Sequence, residues 1–203
     1  MTASAADRLQ YAHSPAGEPI AEYELEPGDE SVLLELAAAA RQHGATRLCI
    51  YSTADLSAAG FARREGYRRL TASAVPAGDP LPVLDREAVA AVWPLAFVGQ
   101  WGHHRVQPGV NDALPGAIYV GLPGGDDWLG LCRVEPERRH IDGPGFVGRP
   151  GSAEQAQALV VGAGAQLNPG PVTLETWGDH AEAYLELGFS IAEECPGWEL
   201  ALN

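Results

Sequence analysis

The sequence predicts an α/β protein built on a mixed sheet. Three observations carry this. Apolar, β-like runs alternate with Ala-rich amphipathic stretches along the chain. A strand–turn–helix unit ending in Gly plus an aromatic occurs twice, as "YSTADLSAAGFARREGY" (51–67) and "ETWGDHAEAYLELGF" (175–189). The 203 residues are 46% hydrophobic, enough for a substantial core in one large or two small domains.

Taken in order, residues 9–12 and 20–25 read as short strands around a "SPAGEP" turn. In "SVLLELAAAARQHG", Leu33, Leu36, Ala37 and Ala40 fall at helical spacing. Ser31 is the expected cap and Gly44 the expected stop. "TRLCIY" is a strand, 55–65 a helix ended by Gly66, and 67–75 a further strand. The Pro- and Gly-rich run "PAGDPLPVLD" is the expected linker, placed at 79–84 between domains 1–78 and 85–203. Asp85 caps "REAVAAVWPLAFVGQWGHH", a helix that Pro94 should end or kink. A hairpin follows across Gly124 to Asp127, then the short strand and loop "GPGFVGRPG". The helix of "SAEQAQALVVGAGAQL" sets Ala156, Leu159, Val160 and Ala163 on one face. The strand "PVTLET" and the helix to Gly188 come next. "SIAEE" and "WELAL" are expected to pair as a hairpin around "CPG".

Helix 31–43, strand 46–52, helix 55–65 and strand 67–75 match helix 152–167, strand 171–176, helix 179–187 and strand 189–194 in order. This suggests a diverged duplication, although α/β chains alternate in this way generally.

The net charge of −14 argues against a general nucleic-acid binder or a partner for anionic membranes. Cys49, Cys132 and Cys195 are scattered, which suits buried free thiols in a reducing cytosol, and their spacing fits no zinc site. No apolar run reaches the length of a membrane span, and the N-terminus lacks the order of a signal peptide. A cytoplasmic protein is expected, and the Ala, Gly, Pro and Arg richness matches a high-GC bacterial genome. No "GxSxG" or Walker-type loop occurs, so acyl-serine and nucleotide-triphosphate chemistry lack support.

The residues "VTLET" and "AEAYLELGF", with Tyr184 four residues before Gly188-Phe189, resemble the GCN5-related N-acetyltransferase (GNAT) family. The resemblance covers about 85–203 well, and about 20–78 as a shortened copy. It implies a tandem GNAT-like acyl-CoA N-acyltransferase fold with a truncated, degenerate first copy. It also implies acetyl-CoA as co-substrate, a small-molecule amine as acceptor and direct transfer; no metal is expected, and a homodimer is left open. Pantetheine would lie on strand backbone near Phe146 and Val147. The pyrophosphate would lie on the loop opening the amphipathic helix, near Arg149, Gly151 and Ser152. That loop departs from the family pattern, because Glu154 stands where a Gly usually lets backbone approach phosphate. In the first half, Ala62 replaces the Tyr, and the matching loop holds Glu24, Glu26, Asp29 and Glu30, which repel phosphate.

For chemistry, Tyr184 matches the family position that protonates the departing thiolate, and a phenol of pKa about 10 suits that role. It could equally be a core aromatic. His103 and His104, in "GQWGHHRVQPG", are candidate bases beside the acceptor, with Trp101 and Arg105 as lining residues. Asp142, with Glu135 as an alternative, is a candidate acidic base within a charge run that could be merely solvated. Trp177 could wall the pocket. Two further readings stand beside the transferase: a binding module without turnover, favoured by the altered loop, and a non-acetyl reaction on the same fold. A channel plugged by Phe146 or Trp177 would favour the module.

Overall fold

The computed structural model describes residues 4–13, 18–96, 116–148, 151–177 and 180–202. It divides into two compact units. One holds the described residues through Tyr67 and those from Glu194 onward; the other runs from Arg68 to Glu193.

In the first unit, β1 (Gln10–His13) pairs antiparallel with β2 (Pro19–Glu24). β2 pairs parallel with β3 (Arg47–Tyr51) from Ile20↔Arg47 to Glu24↔Tyr51. α1 (Leu33–Gln42) makes the crossover and buries Leu33, Leu36, Ala37 and Ala40, the stripe expected from the sequence. Gly44, at φ +78, ends it with paired bonds, Gly44 N–H to Arg41 C=O at 2.9 Å and Ala45 N–H to Ala40 C=O at 3.0 Å. Ser31 does not cap α1. It lies in a 3₁₀ turn, Glu30–Val32, so the α-helix starts later, at an N-cap Val32 without a side-chain bond.

The helix expected over 55–65 is not formed. A 3₁₀ turn at Ser57–Ala59 stops at Gly60 (φ +86), and Ala62–Ala72 is the long strand β4. Strand neighbours on both sides override the helix propensity of the Ala and Arg residues. Within the first unit β4 lies beside β9 (Ser190–Ala201), and Arg68–Ala72 lies beside β8 (Val172–Trp177) in the second. β9 is one continuous strand rather than a hairpin around Cys195-Pro196-Gly197. Gly197 pairs with Tyr51, and the Pro196 carbonyl accepts from Ser52 N–H at 3.2 Å, so this stretch stays in the ladder. A Cβ on Gly66 would stand 1.8 Å from the Cys195 carbonyl oxygen, so only glycine lets the two backbones pass.

After Arg68–Ala72 of β4, the second unit continues through residues 73–85. The expected linker, 79–84, falls within this unit, where Leu84 N–H donates to the Tyr119 carbonyl at 2.8 Å. α2 (Arg86–Ala96) is capped by Asp85, whose Oδ1 accepts from Ala88 N–H at 2.8 Å. Pro94 sits within α2 and does not end it before Ala96. β5 (Ile118–Gly124) and β6 (Asp127–Glu135) form the expected hairpin through Gly125 (φ +77) and Asp126. β7 (His140–Phe146) follows antiparallel to β6. α3 (Ala153–Gly164) crosses to β8, and α4 (Ala181–Glu186) leads through Gly188 (φ +89) into β9. Strand order here is β4-β8-β7-β6-β5. One core gathers Val134, Ile141, Leu159, Val160, Leu174 and Tyr184; a second sets Val89, Val92 and Trp93 of α2 against Tyr119 and Leu131.

Candidate functional site

The parallel pair β7–β8 separates partway along. Its rungs are His140↔Thr173, Ile141↔Leu174 and Asp142↔Glu175. β7 then continues to Phe146 and β8 to Trp177 with no further rung among the described residues. The local sequence supplies the cause. Gly143 takes φ +103, and Pro144 has no N–H to offer a neighbouring strand. β7 instead stays with β6, through Gly130↔Phe146 and a 2.9 Å bond from Val147 N–H to the Leu129 carbonyl. The result is a fork, closed at His140–Thr173 and open beyond Asp142–Glu175. The parallel pair of the first unit has no such opening: past Glu24↔Tyr51, Leu25 N–H still bonds the Tyr51 carbonyl at 2.9 Å.

Tyr184, on α4, is fully buried (0% exposed) in the core beside β8. Its hydroxyl has no hydrogen-bond partner of bonding geometry. Burial pushes the phenol well above its ordinary pKa, the charge of Cys132 adds to the rise, and the Thr176 hydroxyl pulls the other way. Thr176 is itself buried, on β8.

On the face toward α2, Asp142 is 8% exposed and ion-paired with Arg133 at 2.6 Å. Arg133 also meets Glu135 at 3.2 Å and lies over the Trp93 ring, 5.8 Å from its centroid. Burial holds the Asp142 carboxyl above the usual range, although Arg133 and His140 pull it down. His140, bonded through Nδ1 to Thr173 Oγ1 at 2.8 Å, is lowered by burial against the pull of Asp142 and Glu135. Arg133 and His140 were not among the residues picked from the sequence. The signal was in the alternation of "RVE" and "HID", which sets Arg133 opposite Asp142 and Glu135 opposite His140.

The Phe146 side chain belongs to the core and meets His180 edge-on at 5.7 Å. Val147 spends its N–H on Leu129. Gly151 lies against Phe146, where a Cβ would come within 2.4 Å of the ring. Ser152 caps α3 in a capping box: Gln155 N–H donates to its Oγ at 3.2 Å, and Ser152 N–H donates to Gln155 Oε1 at 2.9 Å. Trp101, His103, His104, Arg105 and Arg149 lie outside the described residues, as does the Trp177 side chain.

The residues present fit acyl-CoA only in part. The fork and the unpartnered Tyr184 hydroxyl suit the thioester end. The start of α3 suits the phosphates poorly, because Gln155 takes the Ser152 N–H and Glu154 puts a carboxylate in the first turn. The Glu154 carboxyl is held below the usual range by bonds to Ser152 and to its own backbone, so it is anionic there. No group of three or more His, Cys, Asp or Glu residues suited to a metal occurs among the described residues. Among them, no helix is long and apolar enough to cross a membrane.

No protein-family model matches the chain, and no curated protein sequence does. Solved structures do resemble it. A putative acetyltransferase from Pyrococcus horikoshii aligns with TM-score 0.64 at 13% identity, over 95% of this chain and 68% of that one. A GCN5-related N-acetyltransferase from Anabaena variabilis aligns at 0.60 and 11%, over 96% and 59%. A putative GNAT-family acetyltransferase from Novosphingobium aromaticivorans aligns at 0.56 and 17%, over 94% and 85%. The chain thus spans only about three-fifths of the Anabaena protein. At these identities the likeness defines the fold: a mixed α/β sheet of the GNAT kind.

Proposed function

We propose that the chain is an acyltransferase that moves an acyl group from a CoA thioester, acetyl-CoA in the first instance, to a small-molecule amine. The fork at Asp142–Glu175, with the buried unpartnered Tyr184 hydroxyl on the adjoining helix, carries this reading. The thioester would supply an activated carbonyl. Backbone of β7 past Gly143 would hold the donor's arm by hydrogen bonding, and positioning would do most of the work of direct attack. Tyr184 would hold a proton for the sulfur as the C–S bond breaks. Burial makes this phenol a weaker acid than a free tyrosine, so its proton would pass only as thiolate charge develops on the sulfur. Asp142 would accept the amine's proton, and its raised carboxyl is a better base than an ordinary aspartate. His103 or His104 remains an alternative base, with Trp101, Arg105 and Trp177 as acceptor-lining residues and Arg149 as the phosphate cation.

The halves 1–78 and 85–203 read as diverged copies, the first degenerate. Each has a parallel strand pair crossed by a helix, then a helical turn and a long strand. The unbroken β2–β3 ladder and the acidic loop before α1 support a first unit without a cofactor slot. The capping box and Glu154 favour a second reading, a binding module without acetyl-CoA turnover. Thiol release from acetyl-CoA across a panel of amines separates the two. The transferase reading expects release that Tyr184→Phe lowers about 100-fold. No release with any amine, together with tight CoA binding, favours the module.

A further inference from the structure

We propose that Arg139 is a positioning residue that pins the closed end of the strand fork. The inference rests on the proposed site, because it concerns what holds that fork in shape. Among the described residues Arg139 is the one non-glycine with positive φ, at +52. A long side chain is held in the left-handed region only where its surroundings fix it, and such outliers gather at functional sites. Here the fixing is visible. Nε donates to the Pro171 carbonyl at 2.7 Å, and the two terminal nitrogens donate to the Pro169 carbonyl at 2.8 Å and the Asn168 carbonyl at 2.9 Å. Its own carbonyl accepts from Thr173 N–H at 3.0 Å.

Arg139 therefore ties the β6–β7 turn to the loop leading into β8. The next rung is His140↔Thr173, and the fork opens two rungs later. Gly170, at φ +132, wraps the guanidinium so closely that a Cβ would lie 2.6 Å from it. Three carbonyls on one cation form a charge-assisted anchor with no carboxylate in it, so it does not loosen as carboxylates titrate. With the closed end fixed, the register that sets Asp142 beside Glu175 is fixed as well. A ligand entering the open end then meets a preformed slot, with little ordering left to complete on binding.

The test compares wild type with Arg139→Gly, which relieves the backbone penalty while removing the anchor, and with Arg139→Lys and Gly170→Ala. Arg138→Ala is the control, since the exposed Arg138 side chain in the same turn reaches Glu135 at 2.8 Å and not the 168–171 carbonyls. Two readouts are taken on the full chain: hydrogen exchange by peptide, and calorimetric titration with acetyl-CoA. The expected result is faster exchange confined to 168–177 in Arg139→Gly and Gly170→Ala. Acetyl-CoA binding weakens about tenfold in both, recovers in part with Lys, and is unchanged in Arg138→Ala. Exchange that rises evenly across 118–177, or affinity equal to wild type in Arg139→Gly, overturns the proposal. If wild type itself binds no acetyl-CoA, the proposed function fails, and the exchange readout still decides whether Arg139 pins the fork.

Discussion

Replacing Tyr184 by Phe should separate stability from function. The phenol ring fills a fully buried position among Leu159, Val160, Leu174 and Phe189, and Phe keeps that packing. The hydroxyl has no hydrogen-bond partner of bonding geometry. A buried unsatisfied polar group costs about 1–3 kcal/mol. Some of that is recovered through the nearby Thr176 hydroxyl, so a gain of about 1 kcal/mol is expected on removing it. In a chain of this size that raises Tm by about 2–4 °C. The assay is urea and thermal unfolding of both proteins, with acyl transfer measured in parallel. A more stable variant with acyl transfer lowered about 100-fold is the predicted outcome. A loss of more than about 1 kcal/mol would refute the reasoning, because it would mean the hydroxyl is well bonded in the free protein.

Three further outcomes follow from the same geometry. Gly66→Ala should destabilise by about 1–3 kcal/mol in urea unfolding, since its Cβ would meet the Cys195 carbonyl at 1.8 Å and Gly197 N at 2.6 Å. His140 is held below its ordinary 6.5, so the unfolded chain takes up its proton first as pH falls. Its contribution is complete above about pH 6.5 and declines below it, and His140→Gln should flatten the stability–pH curve in that window; an unchanged slope contradicts the assignment. Cys49, Cys132 and Cys195 are all buried, and burial pushes the Cys49 thiol up to about 12. A thiol reagent at pH 8 should therefore label none of them in the native protein and all of them in denaturant.

The elements with a clear period were legible from sequence. The apolar stripe of α1, the Gly44 stop, the Asp85 cap and the buried face of α3 all follow from local rules. Errors arose where pairing outweighed propensity. Ala62–Ala72 carries Ala and Arg residues that suit a helix, yet it becomes a strand flanked on both sides. Pro196 and Gly197 look like a turn, yet β9 runs through them because β3 supplies partners on one side. The fork was written in "IDGPGF", as a glycine with positive φ followed by a residue without an N–H. Its meaning depends on β8 lying alongside, which no local window contains. Arg139 was invisible for a similar reason: its partners are carbonyls about 30 residues away, and carbonyls leave no mark on side-chain pattern.

The most direct measurement is calorimetric titration of the full chain with acetyl-CoA, using free CoA as the comparison. The account predicts saturable one-to-one binding, with Tyr184→Phe retaining affinity while losing turnover. Absence of binding by acetyl-CoA and CoA at millimolar concentration, with no shift in Tm, would contradict it. The fork at Asp142–Glu175 would then be an architectural relic of the fold rather than a donor site.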